Sequence, residues 1–221
     1  VLTTEGFAGI VNLVKIGRMT YQRIMTYTIN KIIRTFKRVV FIVLAFILTG
    51  LYVVSSLELI FLLFLSDYVT LSISTDNVRY SQKPEKWNIQ EIVKVGSIYG
   101  ILVITESMIV LYLGFLLFGL NSDINQLHTF VFVWLTMSGY FTVLSVRERK
   151  HFWNSKPSRP LGFAIAVNSI IVFLFAIFGI PGLVSISPIA YLLVLVYAFA
   201  AILLINDPIK TFLIKWLMPS C

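Results

Sequence analysis

Between Arg38 and Ser66 the chain runs through 27 residues, Val39 to Leu65, of which only Glu58 is charged. A membrane-spanning helix needs roughly 20 apolar residues, so this run is too long for one crossing plus a turn and too short for two. Thr49-Gly50-Leu51 followed by Ser55-Ser56 marks a reversal near its middle. Two helices are therefore predicted whose inner halves extend past the apolar run. The first takes in Arg34, Lys37 and Arg38, the second Asp67. Counting about 1.5 Å of rise per residue from a bend near Val53, Lys37 lies roughly 24 Å and Asp67 roughly 21 Å away from it, a cation and a carboxylate at about one depth. Charges in lipid are costly, face the protein interior and mark ion pathways by default. A fixed ion pair stapling two helices is the competing reading.

The same hydropathy pattern gives six apolar segments, at about 32–50, 57–75, 92–118, 129–146, 161–180 and 187–205. No stretch alternates apolar and polar residues over about ten positions between turns, which argues against a β-barrel. The expected fold is all-α, a polytopic six-helix membrane bundle occupying residues 32–205. Composition agrees, with 58 % hydrophobic and 13 % charged residues and a mean hydropathy of +0.89, values foreign to a soluble domain.

Charge adds orientation. Of the 18 Lys and Arg residues, seven lie between Lys15 and Arg38, four between Arg79 and Lys94, five between Arg147 and Arg159, and two are Lys210 and Lys215. The alternate connections around 50–56, 119–128 and 181–186 have no Lys or Arg. The positive-inside rule then puts both termini in the cytoplasm. The net charge of +8 is accounted for by topology and anionic lipid, with no nucleic-acid partner expected. The single cysteine, Cys221, excludes an intrachain disulfide and a cysteine metal cage, and no metal site is expected. His128 and His151 are expected in solvated loops.

Residues 1–31 are neither a span nor a polar tail. Ile10, Val14, Met25 and Ile29 alternate with Lys15, Arg18, Gln22 and Arg23 at helical spacing, without proline, and run directly into the first span. One long helix standing out of the membrane on the cytoplasmic side is expected, a rod able to carry motion to Lys37.

Here a resemblance becomes specific. Leu2-Thr3-Thr4-Glu5-Gly6-Phe7, Lys15-Ile16-Gly17-Arg18 and Tyr21-Gln22-Arg23-Ile24-Met25-Thr26-Tyr27-Thr28-Ile29 resemble the link from phosphorylation domain to fifth transmembrane helix in P-type ATPases. Ser66-Asp67-Tyr68-Val69-Thr70, Thr75-Asp76-Asn77-Val78 and Pro84-Glu85-Lys86-Trp87-Asn88-Ile89 look like the sixth helix and following inner loop of the proton-exporting, plasma-membrane subgroup. In the last four spans only hydropathy and Asn206-Asp207 with Lys210 support it. The resemblance implies a proton pump whose remainder holds four helices, an actuator domain, a nucleotide-binding domain and the phosphorylated aspartate. ATP and Mg²⁺ are implied for those domains, with no cofactor bound by this chain. The chain has no Asp-Lys-Thr-Gly-Thr motif and no Gly-rich phosphate loop. Its opening at Val1, without methionine or a signal-peptide pattern, is expected of a fragment or a processed chain. The resemblance puts Lys37 where the subgroup has an Arg and Ser66 where it commonly has Asn. The cation serving Asp67 is left open among Lys37, Arg38 and Arg34, which share a helix face.

Within the family reading Asp67 carries the proton and a neighbouring cation gates it. Other cation-transporting P-type ATPases and a free-standing channel or scaffold module are the alternatives. A Ca²⁺ site wants six to eight oxygen ligands, whereas this chain offers Asp67 and Glu106 with fixed positive charges beside the first. Glu106, inside the third segment, is expected either to make a structural hydrogen bond or to join the pathway. Glu58, near the bend, is expected to be a wet interfacial carboxylate or part of the exit. Asn168 reads as helix-to-helix glue. The inner loops 76–91 and 147–153 read as solvated surface or as docking surface for the phosphorylation domain. Past residue 205 a stop is expected, with Asn206 or Asp207 capping a new amphipathic helix at the inner surface over 206–221 and Pro208 in its first turn.

Overall fold

The computed structural model describes residues 7–78, 80 and 88–217. The segments Leu2 to Gly6, Lys83 to Trp87 and Cys221, used above, lie outside the described residues. Seven α-helices follow one another: α1 Phe7–Thr49, α2 Ser56–Ser72 with a short 3-10 turn Ile73–Thr75, α3 Ile89–Phe118, α4 Ile124–Val146, α5 Arg159–Phe178, α6 Pro188–Phe199 and, after a π-helical segment Ala200–Asn206, α7 Asp207–Leu217. The all-α membrane class read from the sequence holds.

Among the described residues five helical stretches are long and apolar enough to cross a membrane: Ser56–Thr75, Ile89–Phe118, Ile124–Val146, Arg159–Phe178 and Pro188–Leu217. The first of the six expected segments, 32–50, is the C-terminal part of α1; it is helical to Thr49, but Arg34, Lys37 and Arg38 dilute its apolar character. No proline or glycine interrupts α1 after Gly17, so its 43 residues form a rod of about 64 Å.

α4 is the axis of the bundle. Seventeen of its residues are buried, including Trp134, Phe130 and Phe132 at 0 % exposure. A helix buried on all sides in lipid must satisfy its polar side chains internally. Thr136, Ser138 and Thr142 do so by donating to the carbonyls four residues back, at 2.5–2.7 Å. The Trp134 indole donates to Ser107 Oγ on α3 at 2.8 Å. α1 packs on α3 through Gly96 and Gly100. A Cβ on Gly96 would stand 2.8 Å from Ile32 Cγ2, and one on Gly100 2.7 Å from Phe36 Cδ1. Small residues four apart let two membrane helices approach closely, the approach that a larger side chain would prevent.

The C-terminal region differs from the expectation. No stop occurs at 206; the helix continues from Pro188 to Leu217 through the π segment. Pro208 lacks an N–H and would orphan a carbonyl of an α ladder, and the widened π turn immediately before it absorbs that fault. Asp207 is buried at 0 % and caps nothing in its own helix. It accepts from Lys210 Nζ at 2.7 Å, Ser145 Oγ at 2.9 Å and the Phe152 N–H at 3.1 Å. Lys210 in turn donates to the carbonyls of Ser145, Glu148 and Lys150, closing the end of α4. The expected apolar side of α7 also splits, with Phe212 and Trp216 exposed while Leu213 is buried.

Candidate functional site

The reversal between α1 and α2 sets the register of the charges. Residues 50–55 are non-helical, and they tuck Val53 and Val54 inward, to 0 % and 9 % exposure. Ser55 begins α2 through a reciprocal cap: its N–H donates to Glu58 Oε2 at 2.9 Å, and the Glu58 N–H donates to Ser55 Oγ at 3.3 Å. Glu58 is thereby buried at 0 % rather than wet. The pattern Ser55-x-x-Glu58 is a capping-box signature that the sequence reading passed over.

This geometry moves the partner of Asp67. Lys31 Nζ donates to Asp67 Oδ1 at 2.7 Å; Lys37, Arg38 and Arg34 do not form that pair in this structure. Lys31 lies 18 residues, about 27 Å, from the end of α1, and Asp67 lies 11 residues, about 16 Å, from the start of α2. Counting both helices from one bend missed an axial offset of roughly 10 Å, which the inward-tucked linker supplies.

The other candidates distribute around that pair. Arg34 is buried, donating to the Ser66 carbonyl at 3.2 Å and to Thr70 Oγ1, one residue before and three after the carboxylate. Lys37 points the other way, into α4, donating to Ser138 Oγ at 2.9 Å and to the Leu135 carbonyl at 3.2 Å. Glu106 accepts from Asn206 Nδ2 at 3.0 Å, across α3 and the π segment, where a wide turn re-aims the amide. Asn168 stays within α5, donating to the Ala164 carbonyl at 2.8 Å.

The Lys31–Asp67 pair differs from the rest in exposure. Its side chains are 35 % and 44 % exposed, on a face of α1 and α2 that also presents Val39, Phe64 and Leu71. By contrast Asp76, at the inner end of α2, is buried at 0 %: it accepts from Arg147 Nε at 2.8 Å and the Ser158 N–H at 3.0 Å, and its carbonyl accepts from Arg23 Nε at 2.9 Å. The two inner loops read as solvated surface are joined there. His151 is likewise engaged, 3.2 Å from Asp207 and stacked on Trp153, and His128 is 2.5 Å from the Tyr52 carbonyl. Sequence reasoning missed Lys31 and the Asp76–Arg147 junction; the basic loop and the Thr75-Asp76-Asn77 run were visible, but their meeting across 71 residues was not.

No family model matches the chain. Individual relatives do. A Methanocaldococcus jannaschii protein named as a cation-transporting ATPase is 30 % identical over 97 % of this chain and 26 % of its own length. Plasma membrane ATPase 1 of Saccharomyces cerevisiae is 27 % identical over 81 % of the chain and 20 % of its own, and plasma membrane ATPase 2 of Schizosaccharomyces pombe is 29 % identical over 93 % and 21 %. The chain thus spans about a quarter or less of the relatives it matches. By sequence and by its apolar helices, the chain is the counterpart of the C-terminal membrane part of cation-transporting P-type ATPases.

Proposed function

We propose that this chain is the transport portion of an ATP-driven, proton-exporting P-type pump of the plasma membrane, with both termini cytoplasmic and Asp67 as the proton carrier. The observation that carries the reading is the carboxylate itself: Asp67 sits in a membrane-spanning helix, 2.7 Å from Lys31, with Arg34 bonded to Ser66 and Thr70 on either side of it in sequence. So many fixed cations disfavour a metal ion and suit a species that a cation can displace. Proton and ammonium compete for the same oxygens. Movement of α1 that withdraws Lys31 opens Asp67 to a proton, and return of a cation expels it outward. Lys31 takes the gating place given above to Lys37, Arg38 or Arg34. The exposed flank of the pair is where the remaining helices of the pump, and the lipid, complete the site; ATP and Mg²⁺ act in the domains outside this chain.

The test is ATP-driven acidification by the full-length protein in sealed vesicles. Wild type should acidify and Asp67→Asn should not. Uptake of a metal cation without proton movement would move the pump to another branch of the family. Labelling of a cysteine placed near Asn121 from the cytoplasmic side would refute the orientation.

A further inference from the structure

A second polar feature of α1 shares only Arg34 with the surroundings of Asp67. Gln22, Thr26, Asn30, Arg34 and Lys37 follow one another at intervals of four, four, four and three residues, and all are buried, at 9 %, 6 %, 0 %, 7 % and 3 % exposure. The row extends about 22 Å along the rod. Buried polar side chains in a helix bundle normally find partners. Asn30 does not: both its amide nitrogen and its amide oxygen are buried without a hydrogen-bond partner among the described residues, as is the Tyr140 hydroxyl. Lys37 has three N–H donors, and the described residues take two of them, through Ser138 and Leu135.

Two small cavities border the two ends of the row, the first between α1, α3 and α7, the second between α1, α2 and α4. One, about 20 Å³, is lined by Gln22, Thr26 and Ile33 of α1, Tyr99 of α3, Arg147 just after α4 and Lys210 of α7. The other, about 10 Å³, is lined by Arg34 and Lys37 of α1, Ser66 of α2 and Gly139 and Tyr140 of α4. Each offers roughly the space one water needs. In the row itself Asn30, with its unpartnered amide, falls between Thr26, which lines the first cavity, and Arg34, which lines the second. Water needs two to four polar partners to stay in a protein, and the row supplies a succession of them.

We propose that this row is a water file entering at the Gln22 end of α1 and ending on Lys37. Water in the file satisfies the Asn30 amide and the Tyr140 hydroxyl, hydrates the third donor of Lys37, and relays protons between that ammonium and the cytoplasmic side. Lys37 is then in aqueous contact through the α1/α4 seam, while Asp67 is approached from the opposite, exposed flank of α1. The place of the file in a transport cycle rests on the proton-pump reading above; its existence does not.

Thiol reactivity in the full-length protein tests it, whichever ion is carried. Methyl methanethiosulfonate reacts with thiolates, and a thiol in a dry apolar site ionises poorly, so a dry cysteine should react about a hundredfold more slowly than a hydrated one. Lys37→Cys is compared with Val103→Cys, which is 0 % exposed and lines neither cavity, with modification read by peptide mass spectrometry. Lys37→Cys should react fast and Val103→Cys slowly, and adding Asn30→Leu should bring Lys37→Cys down to the Val103→Cys rate. Thermal unfolding reports whether each variant folds, and Thr26→Val supplies a second block if Asn30→Leu does not. Equal slow rates for Lys37→Cys and Val103→Cys overturn the file. So does a fast Lys37→Cys that neither block slows, since water then arrives from the Asp67 side. Loss of acidification in wild type with the labelling pattern intact would sink the proton-pump reading alone.

Discussion

Replacing Asp76 by Ala should destabilise the inner face of the bundle more than any substitution at Asp67. The Asp76 carboxylate is 0 % exposed, and Arg147, 6 % exposed, places its Nε on it at 2.8 Å. The other guanidinium nitrogens are committed to the carbonyls of Ser155, Lys156 and Asn77. Arg147 therefore cannot swing into solvent without breaking the loop that leads into α5. Removing the carboxylate leaves a buried cation uncompensated, a loss of about 3–5 kcal/mol, to which the freed Ser158 N–H adds about 1 kcal/mol. Asp76→Asn keeps an acceptor for Ser158 but not the charge, and should lose about 2–3 kcal/mol. The assay is denaturant unfolding of the full-length protein in mixed micelles, followed by near-ultraviolet circular dichroism. The double variant Asp76→Leu with Arg147→Met should recover most of the loss, because an apolar pair carries no desolvation penalty. Should Asp76→Ala cost under about 1 kcal/mol, water reaches this pair and its description as a dry junction is wrong.

Three further outcomes are expected. On the proposed function, Lys31→Ala should reduce the proton gradient that the full-length protein builds in sealed vesicles; an unchanged gradient would return the gating role to Arg34 or Arg38. Glu106→Gln should keep most of the transport rate, because Asn206 can still donate to a glutamine carbonyl, and loss equal to that of Asp67→Asn would put Glu106 in the pathway. Gly100→Val should cost about 1–3 kcal/mol by driving the Phe36 ring from the α1/α3 contact, measured by thermal unfolding against Gly17→Val, which meets nothing within 4 Å.

Hydropathy sufficed for the fold class, because each span must satisfy its own backbone and so announces itself by length and apolarity. It was blind to helix register. Lys31 and Lys37 are equivalent in any count of charges, and only the inward tuck of residues 50–55 decides which of them meets Asp67. The tuck was legible in part, through the Ser55-x-x-Glu58 cap, but the burial of Val53 was not. The C-terminus misled for a related reason: Asn206-Asp207-Pro208 is a good helix start by local rules, yet Asp207 makes its bonds to Ser145 and Phe152 on other elements. Long-range polar contacts overrode a sound local signal. The Gly96 and Gly100 spacing was visible in the sequence, but nothing there identified Ile32 and Phe36 as the side chains they admit.

The unbroken length of α1 fixes a mechanical relation between its two charged flanks. Lys31 is displaced by about 100° of azimuth from Asn30, and both belong to one rigid cylinder with no hinge between them. Axial rotation therefore acts on both like two cams on a common shaft. A turn that carries the Lys31 ammonium off Asp67 swings Asn30 through the same angle and Lys37 against α4, so the two flanks cannot be reset in separate steps. Torque on the Phe7 end of the cylinder is delivered to both at once, and their timing is set by geometry rather than by a signal passed from one to the other.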